Sequence, residues 1–222
     1  MFGALALTLT LAAATPAPGG ASPQGHERPK PEQVFRHAPL VVNVADFPAT
    51  GLILDIGGGG EGIIGQVKGQ QVVAIDLIKR ELEEAPAGPL LKIVMDARDL
   101  KFLDASFDTV TVFFTFMYID PAEHEQVLRE IARVLRPSGR LLVWDVTFPA
   151  KKTDDRHEWV VYPLQIQLPA KKVETGYGVR FTPGRGASEL VAAAAKAGFQ
   201  VAKRQDEPGW YFLELTPSAP SR

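Results

Sequence analysis

Three aspartates each close an apolar run. Asp55 follows Leu52-Ile53-Leu54, Asp76 follows Val72-Val73-Ala74-Ile75, and Asp96 follows Lys92-Ile93-Val94-Met95. The glycines Gly57 to Gly60 come directly behind the first of them. A turn without side chains lets a ligand reach the backbone and the amides that open the next helix, where the helix dipole favours a carboxylate or a phosphate. The aspartates add the opposite preference, for ammonium groups and for hydroxyl or amino donors. Gly57, Gly59 and Gly62 also satisfy the dinucleotide spacing G-x-G-x-x-G, with Asp76 about 20 residues on, where an acid meets a ribose. The loop alone therefore leaves two ligand classes open.

These residues need elements to hold them. The apolar runs are continuous, not alternating, as strands buried on both faces of a parallel sheet require. Two more such runs follow, Phe107 to Phe114 and Leu141 to Trp144, the latter ending at Asp145. Between them Asp120, Pro121 and Glu123 form a helix start, and Val127, Ile131, Val134 and Leu135 fall on one helical face until Pro137-Ser138-Gly139 stops it. A second helix runs from Ser188 to Ala197 and is stopped by Gly198. Strand–helix alternation predicts an α/β fold with an open, doubly wound sheet, whose ligand sits beyond the carboxyl ends of the strands. Asp55, Asp76 and Asp96 stand at those ends.

Asp55 separates the ligand classes. It sits two residues before the first glycine, where it repels a diphosphate and attracts a cationic amine. A ligand with an α-amino group, a carboxylate, a ribose and an adenine fits the whole set. Asp55 then holds the ammonium region, the amides of Gly57, Gly58 and Gly59 the carboxylate, Asp76 the ribose hydroxyls and Asp96 the adenine amino group. S-adenosyl-L-methionine has this composition.

Four ordered segments resemble class I S-adenosylmethionine-dependent methyltransferases: ILDIGGGGEG (Ile53 to Gly62), VVAID (Val72 to Asp76), MDARDLKFLDASFDTV (Met95 to Val110) and VLREIARVLRPSGRLLVWDV (Val127 to Val146). The resemblance covers roughly Gly51 to Val146. It implies a Rossmann-like, mostly parallel seven-stranded sheet with a C-terminal antiparallel hairpin, here Gln200 to Arg204 and Tyr211 to Leu215. It also implies Gly57 and Gly59 along the methionine part, Asp76 and Leu77 at the ribose, Asp96 and Ala97 at the adenine, and Phe113 closing over the sulfonium side. The chain departs from the family at Glu61, where a glycine is common. Glu61 either deforms the cradle or adds a second acid near the ammonium.

The implied activity is methyl transfer to a small-molecule acceptor, by proximity and alignment and without a metal. The candidates for a catalytic group are Tyr118, which orients an acceptor or packs, and His124, expected to be exposed and inert in the first turns of its helix. Thr115-Phe116-Met117-Tyr118 makes an aromatic, Met-bearing wall that suggests an apolar acceptor. Between Trp159 and Phe181 two alternating stretches read as a hairpin, either a substrate lid or a ribbon that joins two copies of the chain. An NAD(P)-dependent reductase rests on the glycine spacing and Asp76 but lacks a Tyr-x-x-x-Lys pair. A methyltransferase-like module that binds without catalysis is the third reading.

Composition narrows the field. The 222 residues carry no cysteine, four histidines and a net charge of -2, which excludes thiol chemistry, gives no metal-ligand spacing and predicts no nucleic-acid partner. Phe2 to Ala14 is an apolar run with the length of a signal-peptide core, too short to span a bilayer and without a preceding basic residue. Thr15 to Pro31 is a Pro/Gly-rich linker. A domain over residues 32–217 is expected to follow this 1–31 leader and linker. Export and a cytoplasmic location are in conflict here, and the cofactor's own location favours the cytoplasm.

Overall fold

A strand that is apolar on both sides is stable only where both faces of its sheet are covered. The computed structural model describes residues 30–150 and 156–218; the expected leader and nearly all of the linker lie outside them. The strands are β1 (Val34–Arg36), β2 (Leu40–Asn43), β3 (Ile53–Ile56), β4 (Val72–Asp76), β5 (Leu91–Val94), β6 (Phe107–Phe113), β7 (Leu135–Val146), β8 (Trp159–Gln167), β9 (Lys172–Arg180), β10 (Phe199–Glu207) and β11 (Trp210–Pro217). The helices are α1 (Ile63–Lys68), α2 (Lys79–Glu84), α3 (His124–Val134) and α4 (Ala187–Lys196).

The main sheet has seven strands in the order β10-β11-β7-β6-β3-β4-β5. Strands β7, β6, β3, β4 and β5 run parallel to one another. The C-terminal hairpin inserts β11 antiparallel between β7 and β10, the Rossmann-like arrangement with one reversed strand.

One face of this sheet is covered by α3 and α4, whose Val127, Leu128, Ile131 and Leu190 pack with Leu54, Val110 and Leu141. The other face is covered by α1 and a second, smaller sheet: Ile63 and Ile64 join Val42, Tyr162, Leu164 and Ile166 against Ile53, Leu142 and Trp144. Within the small sheet β9 pairs with the whole of β8 along one edge. β1 and then β2 pair with the opposite edge. The hairpin of β8 and β9 is therefore held by the chain's own beginning and buries one side on its own main sheet. Among the described residues no helix is long and apolar enough to cross a membrane.

The helix before β7 ends earlier than its periodicity suggests. Asp120 caps the entry, its Oδ1 accepting from the Ala122 amide at 2.9 Å. Leu135, expected on the helical face, is instead the first residue of β7 and pairs with Phe107. Pro137 explains this: its ring disfavours a helical Arg136 and clashes with the carbonyl four residues back, so the helix stops at Val134.

Candidate functional site

Parallel pairing sets the aspartates on a staircase. Asp55 is level with Ala74, and Asp76, two residues further along β4, is level with Val94. Asp96 lies two residues beyond Val94, past the end of β5. Each step is about 7 Å along the strands and about 5 Å across them, from a rise of ~3.3 Å per residue and a strand spacing of ~4.8 Å. Leu54, Ile56 and Ile75 all point into the α3–α4 layer, so alternation directs Asp55 and Asp76 to the opposite face, the one bearing α1.

The glycine loop lies directly against these two carboxyls. A Cβ at Gly58 would stand 2.7 Å from Asp55 Oδ2, and one at Gly59 would stand 2.8 Å from Asp76 Oδ2. Only glycine lets the loop pack this closely on the two carboxyls, and Glu81 Cβ stands closer still to the Gly59 position, at 2.5 Å. Asp55 is 2 % exposed, and its other oxygen accepts from the Thr111 hydroxyl at 2.7 Å. Burial pushes this carboxyl up to about 7, only partly offset by Thr111. Asp76 is also raised by burial, against amide donors that include Ile78 at 2.9 Å. Asp96 is different: Arg98 grips both its oxygens, Nη2 to Oδ2 at 2.6 Å and Nε to Oδ1 at 3.0 Å, and holds the carboxyl below its ordinary range. Leu77 is 58 % exposed beside Asp76, and Ala97 is half-buried.

The loop amides are not free to hold a carboxylate. Gly57 and Gly58 donate to the Ile75 carbonyl at 2.8 and 3.0 Å, Gly60 to Glu81, and Gly62 to Gly59. The Gly59 amide donates to Asp76. The sequence-based expectation for these amides is corrected accordingly: the turn is closed on itself because five close-set donors in a half-buried loop need partners of their own. Gly57 has a φ of +72° and a Cβ there would stand 2.2 Å from Thr115 Oγ1. Gly57→Ala is expected to destabilise the fold by roughly 2–4 kcal/mol through strain and overlap together, read as a lower midpoint in urea unfolding.

Glu61 neither plugs the loop nor joins the other acids. Its carboxylate reaches across to β9, accepting from the Thr175 hydroxyl and, at 2.8 Å, from the Tyr177 hydroxyl. Burial and the facing Glu61 charge push the Tyr177 phenol far up, so it stays a donor. The small sheet is thereby tied to the glycine loop. Tyr177→Phe removes one charge-assisted hydrogen bond and leaves Thr175, so a loss of about 1–2 kcal/mol is expected in chemical denaturation.

The end of β6 is rebuilt relative to expectation. Phe113 is 7 % exposed and packs on Trp144 and Phe114, with ring centroids 5.8 and 4.9 Å apart. It belongs to the apolar layer under the small sheet. Phe114 adopts a φ of +50°, rare for a bulky residue, and this turn brings the next residue, Thr115, against Gly57. Thr115, Thr111 and Phe114 carried no glycine-like or charge signal that would single them out beforehand.

His124 is corrected from exposed to buried, at 5 % exposure. Its Nε2 lies 2.8 Å from Arg185 Nη2. The same nitrogen stands 3.1 Å from the Ile119 carbonyl, so it faces a donor on one side and an acceptor on the other. Burial, then Arg185, lowers its proton affinity. Tyr118, in the turn after β6, is 45 % exposed.

A family profile described as "Methyltransferase domain" matches residues 54–143. The chain is 34% identical over 133 residues to a ubiquinone/menaquinone biosynthesis C-methyltransferase of Desulfotalea psychrophila, covering 56% of this chain and 50% of that protein. It is 35% identical over 109 residues to the O-methyltransferase resE of Aspergillus sclerotiorum, covering 44% and 40%. A solved SAM-dependent methyltransferase from Methanosarcina mazei superposes with a TM-score of 0.56 at 20% identity, over 78% of this chain and 96% of that one, a likeness of fold. The matches to these curated relatives span half of their length or less.

Proposed function

We propose that the chain, whose residues 54–143 match the methyltransferase-domain profile, is a class I S-adenosylmethionine-dependent methyltransferase that transfers a methyl group from S-adenosyl-L-methionine to a small-molecule acceptor. The cofactor supplies a sulfonium methyl that is already activated, and the residues named here bind, align and exclude water. Asp55 faces the ammonium, Asp76 with Leu77 the ribose, and Asp96 with Ala97 the adenine. The backbone of Gly57, Gly58 and Gly59 runs along the methionine part.

The observation that carries this reading is the placement of Asp55 Oδ2 and Asp76 Oδ2 against the missing side chains of Gly58 and Gly59. A buried carboxyl with one neutral partner is suited to a ligand that brings a cation, and opposed to one that brings a diphosphate. Tyr118, half open at the turn after β6, orients the acceptor. The hairpin of β8 and β9 serves as a cover linked to the loop through Glu61, in preference to a dimer ribbon, because its apolar side is already buried within the chain. Residues 32–217 form the working unit, and the cytoplasm, where the cofactor is made, is its place of action. Relatives named for carbon and for oxygen methylation leave both atoms open as targets.

Calorimetric titration with S-adenosylmethionine, S-adenosylhomocysteine and NADH tests the proposal. Saturable heat from both adenosyl ligands and none from NADH is expected. Heat from NADH alone overturns it.

A further inference from the structure

A strand at the rim of a sheet presents a row of unpaired amides and carbonyls, and charge of one sign along it keeps other strands away. β10 is such a rim. It pairs with β11 along one edge and has no strand on the other among the described residues. Every side chain from Gln200 to Asp206 is exposed. Their charges are not of one sign, however. Around Gln205 the order is Lys203-Arg204-Gln205-Asp206-Glu207, basic on one flank and acidic on the other.

The backbone phase decides which residues can pair outward. The Thr147 amide donates to the Gly209 carbonyl at 2.9 Å, so Gly209, Tyr211 and Leu213 turn their main-chain groups toward β7. Trp210, Phe212 and Glu214 turn theirs toward β10, where they meet Glu207, Gln205 and Lys203. That leaves the amides and carbonyls of Arg204 and Asp206 pointing away from the sheet. The side chains alternate too. Arg204 and Asp206 share one face, Nε to Oδ2 at 2.7 Å. Gln205 and Glu207 share the other, Nε2 to Oε1 at 2.9 Å, with Lys203 over the Phe212 ring on that side.

We propose that β10 pairs antiparallel with β10 of a second copy of this chain, about a twofold axis through Gln205, so that the two main sheets join edge to edge. In this register Arg204 lies opposite Asp206 of the second copy, and the two exchange both backbone bonds. Lys203 lies opposite Glu207 of the second copy on the same face. Opposite charges directly across a strand pair attract. The two Gln205 side chains meet on the axis, at the non-hydrogen-bonded position where facing residues stand closest, and an amide both donates to and accepts from its own kind. The phase also allows an axis through Arg204 or through Asp206, but these set two guanidiniums or two carboxylates face to face. Charge thus selects the Gln205 axis. β4 lies five strands from β10 in the sheet order, so each copy keeps its own aspartates and glycine loop, and the inference stands apart from the methyltransferase reading.

The test is sedimentation equilibrium of the full chain from ~1 μM to ~1 mM, a span that brackets a weak, transient pair. A reversible dimer that weakens as salt is raised is expected. Lys203→Glu and Glu207→Lys each replace two attractive pairs by two repulsive ones, and each is expected to weaken self-association by about tenfold or more. The double variant, Lys203→Glu with Glu207→Lys, is expected to regain the wild-type affinity. An equimolar mixture of the two single variants is expected to associate about as tightly, because each then supplies the charge that the other lacks. Urea unfolding of every variant checks that the monomer is intact. A wild type that stays monomeric throughout, as when another segment of this chain covers the edge, overturns the proposal. So does a dimer indifferent to the single variants, or a loss that neither the double variant nor the mixture restores.

Discussion

Replacing Asp76 by alanine is expected to weaken S-adenosylmethionine binding by about a hundredfold or more. The carboxylate stands at the tip of β4 with one edge against Gly59 and the Ile78 amide fixing its rotamer. A carboxylate that takes a pair of ribose hydroxyls makes two charge-assisted hydrogen bonds, each worth roughly 1.5–3 kcal/mol. About 3–6 kcal/mol in total corresponds to roughly a hundredfold or more in affinity at ~1.4 kcal/mol per tenfold. Asp76→Asn, which keeps one acceptor, is expected to fall between. Burial holds the Asp76 pKa up, so the carboxylate is not a stabilising charge, and the variant is expected to fold. Calorimetry on the variant, with unfolding followed in parallel, separates the two effects; a change below threefold would remove Asp76 from the site.

The second large effect is in pH. Burial pushes Asp55 and Asp145 each up to about 7 from an ordinary value of 3.8. In each case the folded state binds a proton that the unfolded state has already released between about pH 4 and 7. Stability therefore falls as pH rises through that window and levels off above it. At ~1.36 kcal/mol per unit the shift amounts to about 4 kcal/mol for each group as an upper scale. Asp96 and Glu130, held low by Arg98 and Arg133, act in the opposite sense. Their contribution is present above their unfolded values and is lost as pH falls through their lower folded values. The ligand-free protein is expected to be most stable near pH 5, and Asp55→Asn is expected to remove about half of the decline toward pH 8 in urea titrations.

A ligand ammonium beside Asp55 favours its charged form. S-adenosylmethionine binding is therefore expected to tighten from pH 6 to pH 8 and to release a proton, seen as a buffer-dependent heat. The same measurement on Asp55→Asn is expected to show neither.

The elements and the staircase were legible in the chain itself. Ile53–Ile56 and Val72–Asp76 are strands because they are apolar on both sides, and the acids that end them sit where parallel strands deliver their ligands. Asp55, Gly58 and Gly59 needed only local spacing and the rule that a missing side chain admits something else. Pro137, by contrast, marks a stop in the right region, but its ring acts back along the chain, so the helix ends at Val134 and Leu135 belongs to the strand.

What remained hidden was every property that depends on a partner far along the chain. Glu61 is an extra acid in the glycine loop until Tyr177, 116 residues away, takes its oxygen. His124 looks like a solvent-facing helix residue until Phe116 and Arg185, 61 residues on, close over its ring. Leu40–Asn43 becomes a strand beside β8 only through pairing with Leu164 to Gln167. Asp145 ends its strand as Asp55 does, yet it faces the other side of the sheet. Periodicity and turn chemistry act over a few residues and so can be read from order alone; burial, tautomer and the face a side chain meets are set by which distant segments fold against it, and only the tertiary structure decides those.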